Sequence, residues 1–132
     1  KWCSDGMYAL RSKKIPKTRN SYSIYLHRFI FDLPRKKENG LEIDHINGNG
    51  LDNSKSNLRI CTHQNNIRNQ KIHIDNTSGY KGVRKNKYKW RSVIYFNNKY
   101  IHLGMFNTKI EAAHAYNNGA KEYFGEFARL NI

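Results

Sequence analysis

The feature that most limits the fold of this chain is the string LEIDHINGNGLDNSKSNLRICTHQNNIRNQ at residues 41–70. The string LEI at 41–43 predicts a short strand, and the glycines and the many Asn and Asp residues after it predict a long loop. The string LRIC at 58–61 predicts another strand. Thr62 is a suitable N-cap for a helix across 63–70. The string therefore describes one small unit of strand, loop, strand and helix.

Two side chains suited to phosphodiester chemistry stand at the end of the first strand. Hydrolysis of a phosphodiester needs a hard cation, oxygen ligands and a base for water. Asp44 is suited to bind Mg²⁺, and His45, neutral near pH 7, is suited to act as the base. Asn66 in the predicted helix offers an amide oxygen as a second ligand, because Mg²⁺ keeps several waters. Adjacent strand residues point to opposite faces, so both reach one site only if the strand ends there.

Simpler interpretations of the same residues compete with this one. An Asp-His pair alone is typical of a surface or a turn. A calcium loop is disfavoured because Ile46 stands at a ligand position and no Glu occupies the twelfth position. A thiolate zinc site and a disulfide framework are disfavoured because Cys3 and Cys61 are far apart and neither lies in a CxxC pair.

The string resembles the HNH endonucleases, especially the free-standing homing endonucleases of phages and introns. That family carries a DH pair, an Asn twelve residues beyond the His, and a His or Asn on the helix, which here are Asp44-His45, Asn57 in SNLR and Asn66 in HQNN. The resemblance implies Asp44 and Asn66 as ligands of Mg²⁺ (or Mn²⁺) and His45 as general base. It implies that Asn57 holds the loop so that His45 faces the scissile phosphate. With the preceding LHR string it covers residues 26–72.

A second pattern occupies the C-terminal part of the chain. Residues 80–106 contain three strand-like runs, and Asn97-Asn98 predicts a tight turn between the last two. Thr108 and Gly125 predict the start and the end of a helix over 109–124. The small side chains of that helix permit close packing on the sheet. In the middle strand, apolar and basic or aromatic positions alternate, as Trp90, Ser92, Ile94 and Phe96 against Lys89, Arg91, Val93 and Tyr95.

The C-terminal strings GYKGVR, KW, IHLGMF, EAAHAY and ARLNI resemble the APETALA-type domain of plant ethylene-response factors. That family places a three-stranded sheet in the DNA major groove, and similar domains end phage HNH endonucleases. Several plant Arg and Trp positions differ here, so the plant target sequence is not transferred. A merely solvated basic face is the alternative. The groove-facing positions that the resemblance implies, with Arg91 added by alternation, are Lys81, Arg84, Asn86, Lys89, Arg91, Val93, Tyr95, Tyr100 and His102.

The formal net charge of +14 favours a polyanionic partner. It divides into +6 over residues 1–43 (10 basic, 4 acidic), +2 over 44–73 (4 and 2) and +6 over 74–132 (10 and 4). Nucleic acid is the favoured partner and a membrane surface the competitor, although no apolar run approaches the roughly 18 residues of a membrane helix. RNA is less favoured than DNA because the aromatics alternate into a core.

The sequence predicts an α+β chain with two modules. A ββα-metal HNH domain at 1–73 (core 26–72) and a linker at 74–79 precede an APETALA-type domain at 80–132, a three-stranded antiparallel sheet packed on one helix. The expected function is a metal-dependent, site-specific endonuclease that nicks double-stranded DNA, as a monomer or weak dimer in the cytoplasm of a bacterial or phage-infected cell. No small-molecule substrate or membrane partner is expected. The alternative is a non-catalytic DNA-binding regulator with a degenerate HNH unit.

Overall fold

A computed structural model describes residues 1–33 and 40–131 of the chain. The chain divides into two compact units, Lys1–Ile67 and Arg68–Ile132. The segment expected to be a linker, 74–79, lies inside the second unit. Pro34 and the basic residues that follow it predict an exposed loop, but this segment falls outside the described residues.

The predicted α+β class is confirmed, with antiparallel sheets in both units and a long helix against the C-terminal sheet. The first unit holds a three-stranded sheet, a short helix, a two-stranded hairpin and most of a second helix. The second holds a three-stranded sheet and the long helix. The elements are β1 (Cys3–Ser4), β2 (Ala9–Lys14), β3 (Ser21–Tyr25), α1 (Leu26–Ile30), β4 (Leu41–His45), β5 (Leu58–Thr62), α2 (His63–Asn69), β6 (Val83–Asn86), β7 (Lys89–Phe96), β8 (Lys99–Phe106) and α3 (Lys109–Phe124).

The hairpin of β4 and β5 forms the frame of the predicted nuclease unit. Its strands are antiparallel, and the register sets His45 opposite Leu58 at the loop end. A short 3₁₀ turn at Lys55–Asn57 leads into β5. The predicted cap of α2 is confirmed, because the backbone N–H of Asn65 donates to the hydroxyl of Thr62 at 3.3 Å.

In the second unit, α3 packs across β6, β7 and β8. The predicted helix limits are confirmed: the Thr108 hydroxyl accepts from the backbone N–H of Glu111, and the Glu111 carboxylate accepts from that of Thr108. Gly125, at φ 55°, occupies the C-cap. The predicted Asn97-Asn98 turn is also confirmed, since both residues have positive φ, as the tightest hairpin turns require.

A bulge between β7 and β8 decides which side chains of β8 enter the core. Ser92 pairs with Gly104 while the next residue, Val93, pairs with His102. Leu103 is therefore the extra residue on β8. Beyond it the alternation shifts, so Phe106 packs on the core. Gly104 is required there, because it has φ +140° and a Cβ would lie 2.8 Å from the Phe106 ring.

The interior of the second unit consists of apolar clusters between α3 and the sheet. One contains Ile94, Tyr116, Ala120 and Phe124. The other contains Val83 and two alanines of α3, with Trp90 packed against it as predicted. Among the described residues, no helix has both the length and the apolar character needed to cross a bilayer.

Candidate active site

Asp44 lies near the end of β4 and is 4% exposed. Its cross-strand neighbour in the register is Arg59 of β5. The Arg59 guanidinium donates to Asp44 Oδ2 from Nε at 2.9 Å and from Nη2 at 2.7 Å. This buried pair compensates the carboxylate charge and fixes its position on the hairpin.

Asn66 on α2 reaches the same strand through Glu42. Its amide Nδ2 donates to Glu42 Oε2 at 2.6 Å. The other oxygen of that carboxylate, Oε1, lies 2.9 Å from Nδ1 of His63, also on α2. Glu42 is 7% exposed, so a buried carboxylate on β4 is hydrogen-bonded to two side chains of the helix.

The Asp44 and Glu42 carboxylates lie on the same face of the hairpin as the thiol of Cys61. Burial raises the pKa of Cys61 to about 11, and the negative charges of Asp44 and Glu42 contribute in the same direction. The Arg59 charge and a hydrogen bond with the backbone of Asn66 act in the opposite direction. Asp44 and Glu42 therefore lie on the face of the hairpin that carries this buried thiol, as the register and the alternation along the strands require, and Asn66 is hydrogen-bonded to Glu42.

His45 lies on the other face of the hairpin. It is the last residue of β4, and its ring packs 5.1 Å from that of His27 and 5.8 Å from that of Tyr8. Its Nε2 lies 3.4 Å from Oδ1 of Asn53 in the loop. Because β4 ends at His45, Asp44 and His45 flank the end of the strand from opposite faces, and one substrate group could reach both only beyond that end.

Asn57 ties the loop to the start of β5. Its Oδ1 accepts from the backbone N–H of Asn47 at 2.9 Å, and its Nδ2 donates to Asn47 Oδ1 and to the Asp52 carbonyl. The Asn57 carbonyl accepts from the backbone N–H of Ile46 at 2.8 Å. Asn57 is buried, so these contacts anchor the segment that directly follows His45.

The donor chemistry on the Asp44 face fits a hard divalent cation. A carboxylate and an amide oxygen are the ligand types that Mg²⁺ accepts, and this ion needs few protein groups because it keeps several waters. Within residues 1–33 and 40–131, no group of three or more His, Cys, Asp or Glu side chains forms a metal cluster.

The sheet of the second unit brings eight of the nine predicted DNA-contacting residues onto one face. The register pairs them across the strands, and cross-strand partners share a face. All but the half-buried Val93 are exposed. The pairs are Asn86 with Lys89, Arg84 with Arg91, Val93 with His102, and Tyr95 with Tyr100.

Lys81 does not lie on that face. Its ammonium donates to the carbonyls of Arg68 at 2.6 Å and Gln70 at 2.9 Å, at the end of α2. Burial, with a smaller contribution from the Arg129 charge, lowers the pKa of Lys81 to about 8. The structure therefore places this side chain in an intramolecular role.

Comparison with known proteins agrees with the hairpin and helix geometry. A family described as HNH endonuclease matches residues 25–68, which span α1 through the β4–β5 hairpin and nearly all of α2. Protein 3.8 of Escherichia phage T7 is 34% identical over 93 residues, 69% of this chain and 76% of that protein. The chain therefore contains an HNH endonuclease domain at residues 25–68. An HNH endonuclease of Acanthamoeba polyphaga mimivirus, itself uncharacterized, is 38% identical over 109 residues, 80% of this chain.

The two relatives differ in how much of their length this HNH chain spans. It spans 56% of the mimivirus protein, against 76% of the phage protein. The mimivirus similarity, at 109 residues, is longer than the first unit Lys1–Ile67 and so continues into the second unit.

Sequence reasoning missed the partners that surround the HNH residues. Glu42 carried a detectable signal, because it stands two positions before Asp44 on a predicted strand and so shares its face. Arg59 was recognisable only once the β4–β5 register was known. Asn53 was interpreted only as a residue that favours a loop, although its side-chain amide faces His45.

Proposed function

We propose that this HNH chain is a metal-dependent, site-specific DNA endonuclease. The observation that carries the proposal is the arrangement at the end of β4. On one face the Asp44 carboxylate lies beside Glu42, which accepts a hydrogen bond from the Asn66 amide, and the His45 ring stands at the strand end on the other face. A phosphate at this end of the strand would lie between oxygen donors for a cation and an imidazole.

Asp44 and Asn66 would hold one Mg²⁺ or Mn²⁺. When bound, the ion supplies positive charge that stabilises the charge developing on the phosphate and on the leaving oxygen. Arg59 keeps the Asp44 carboxylate in place through contacts that both use Oδ2.

His45 acts as the general base. Asn53 donates its Nδ2 to the Leu51 carbonyl at 3.0 Å, which directs its Oδ1 to Nε2 of His45. Since that oxygen can only accept, it favours the tautomer of His45 that carries the ring proton on Nε2, and the imidazole takes a proton from water. Asn57 keeps the loop, and with it Asn53, in position.

The second unit binds the DNA. Its eight-residue sheet face carries Lys and Arg for phosphates and polar and aromatic side chains for base edges. A sheet of this width enters the major groove, in the manner of the APETALA-type domain. The mimivirus similarity that continues into this unit supports a shared two-part arrangement. One catalytic site in each chain implies that a monomer or weak dimer nicks one strand at a time.

The test is cleavage of supercoiled plasmid with Mg²⁺ or Mn²⁺ and with EDTA. His45→Ala should lower the nicking rate by about 10²–10⁴-fold, the usual contribution of a general base. His73→Ala is the matched control, because that histidine is exposed and lies in the second unit, and it should cleave at the wild-type rate. Wild-type protein that binds DNA selectively and nicks no better than His45→Ala would instead indicate a non-catalytic DNA-binding regulator.

A further inference from the structure

The hydrogen bond between Glu42 and Asn66 determines which end of the Asn66 amide faces Glu42. Glu42 is 7% exposed and accepts from Asn66 Nδ2 at 2.6 Å. An ionised carboxylate offers only acceptors, and an amide has a donor end and an acceptor end. The nitrogen end of the amide faces Glu42 in the structure, and Oδ1 therefore points away from this carboxylate.

We propose that Glu42 is a positioning residue that fixes the Asn66 amide with its oxygen toward the cation site. The inference rests on the proposed function, in which Asn66 is a ligand of the ion. A metal can use only the oxygen end of this side chain. Outer partners of this kind orient ligands in metal sites, and their loss typically costs about 10–100-fold in metal affinity.

The alternative is that Glu42 stabilises the hairpin or adds negative charge near the ion without orienting the Asn66 amide. Its second contact, from His63 Nδ1 at 2.9 Å, provides the internal comparison. The side chain of His63 is 63% exposed, and that of Glu42 is 9% exposed. Removing His63 disturbs the same carboxylate but leaves its bond with Asn66, so the two roles predict different results.

The experiment is an NMR titration with Mn²⁺, which broadens nearby amide resonances even at low occupancy, run beside the plasmid assay. The backbone amides of Cys61 and Ile67 report on the face that holds Asp44 and Asn66. Asp44→Ala defines broadening that does not depend on the site. Backbone shifts distant from the hairpin confirm that each variant is folded.

Glu42→Gln preserves the volume but lets its amide donate to Asn66 Oδ1, which turns the nitrogen toward the ion. We expect Mn²⁺ binding and nicking to weaken by about 10–100-fold. Glu42→Asp keeps the charge but is too short to reach Asn66, so it should weaken binding similarly. His63→Ala should bind Mn²⁺ as the wild type does.

The decisive variant reverses the hydrogen bond. In Glu42→Gln combined with Asn66→Asp, the amide introduced on β4 donates to one oxygen of the carboxylate introduced on α2, and the other oxygen stays directed toward the ion. Mn²⁺ binding should recover relative to Glu42→Gln alone. This double variant preserves both side-chain volumes, so its Mn²⁺ affinity can also be compared with that of the wild type, which tests the proposal even if a single variant fails to fold.

Suppose that Asn66→Ala loses Mn²⁺ binding. Wild-type Mn²⁺ binding by Glu42→Gln or by Glu42→Asp would then overturn the inference and leave the proposed function intact. Failure of the double variant to recover also contradicts it. If Asp44→Ala and Asn66→Ala both bind Mn²⁺ as the wild type does, the metal site itself is wrong and the proposed function fails with it.

Discussion

The two compact units fill their interiors with different kinds of side chain. In the described part of the first unit, the buried apolar residues are Ile43, Leu58 and Cys61, whereas five buried residues are polar or charged: His27, Glu42, Asp44, His45 and Asn57. In the second unit, four buried residues are polar, Asn69, Ser78, Ser92 and Asn117, and seven are apolar residues that join α3 to its sheet: Val83, Ile94, Ala112, Ala113, Tyr116, Ala120 and Phe124. The interior of the first unit is mainly polar and charged, and that of the second is mainly apolar.

This difference indicates that the interiors of the two units contribute unequally to stability and to function. Buried polar groups contribute little net stability unless every partner is present. Apolar burial stabilises without such a requirement. Each unit carries one tryptophan, Trp2 or Trp90, so replacing either one by Phe leaves a fluorescence reporter for the other unit.

The largest stability effect should come from the apolar core of the second unit. Ile94 is 1% exposed and packs against Tyr116 and Phe124 of α3. Ile94→Ala should lower the free energy of unfolding by about 2–5 kcal/mol, measured by urea denaturation with Trp90 as reporter. Ile110→Ala, at an exposed position on α3, is the control and should change it little. An unchanged Trp90 transition in Ile94→Ala would contradict the account of this core.

The next effect is a pH dependence confined to the first unit. Burial, followed by the nearby charges of His45 and Arg28, lowers the pKa of His27 to about 4. Between pH 6.5 and 4 the unfolded chain binds a proton at His27 that the folded chain does not, so stability falls as the pH falls through this window. The loss approaches about 3 kcal/mol at pH 4.

His27→Phe removes this titration and also removes Nδ1, which is buried without a hydrogen-bond partner. The variant should therefore lose less stability than the wild type as the pH falls from neutral to the folded pKa of His27, with Trp2 as reporter. Parallel pH profiles of the two proteins would show that His27 is not buried in the neutral form.

A smaller effect is expected where polar contacts hold the catalytic loop. Asn57→Ala removes three side-chain hydrogen bonds to the loop at Asn47 and Asp52. It should lower the stability of the first unit by about 1–3 kcal/mol. It should also slow nicking, because the segment after His45 loses its anchor. Asn118→Ala, exposed on α3, should affect neither quantity.

The smallest expected effect distinguishes a cation that is exposed on the sheet face from a cation that is bonded to backbone carbonyls within the second unit. Arg91→Ala removes one exposed cation from the sheet face, so the dependence of log affinity on log salt should become shallower by about 0.9. Lys81→Ala should leave that slope unchanged and lower stability instead, since its ammonium binds the carbonyls of Arg68 and Gln70. Equal slope changes in both variants would place Lys81 on the DNA after all.

The sequence predicted the elements that are determined by residues close to one another in the chain. The limits of α3 follow from Thr108 and Gly125, and the turn at Asn97-Asn98 follows from residues that tolerate positive φ. Alternation placed Trp90 and Ile94 on the inner face of β7.

The features that the sequence did not reveal depend on contacts between distant residues. The Asp44–Arg59 pair requires the β4–β5 register, and the burial of Lys81 requires the path of the chain after α2. Strand β2 of the first unit escaped assignment because half of its six residues, ALRSKK, are basic and its pattern is weak. The bulge at Leu103 could be suspected from Gly104, but its position is set by the packing of Phe106.

The central claim is that the first unit cuts and the second unit binds. The measurement that tests it most directly is the single-turnover nicking rate as a function of protein concentration in Mg²⁺. His45→Ala should lower the plateau rate by about 10²–10⁴-fold and leave the half-saturating concentration unchanged, whereas Arg91→Ala should raise that concentration and leave the plateau unchanged. A wild-type plateau in His45→Ala would contradict the claim.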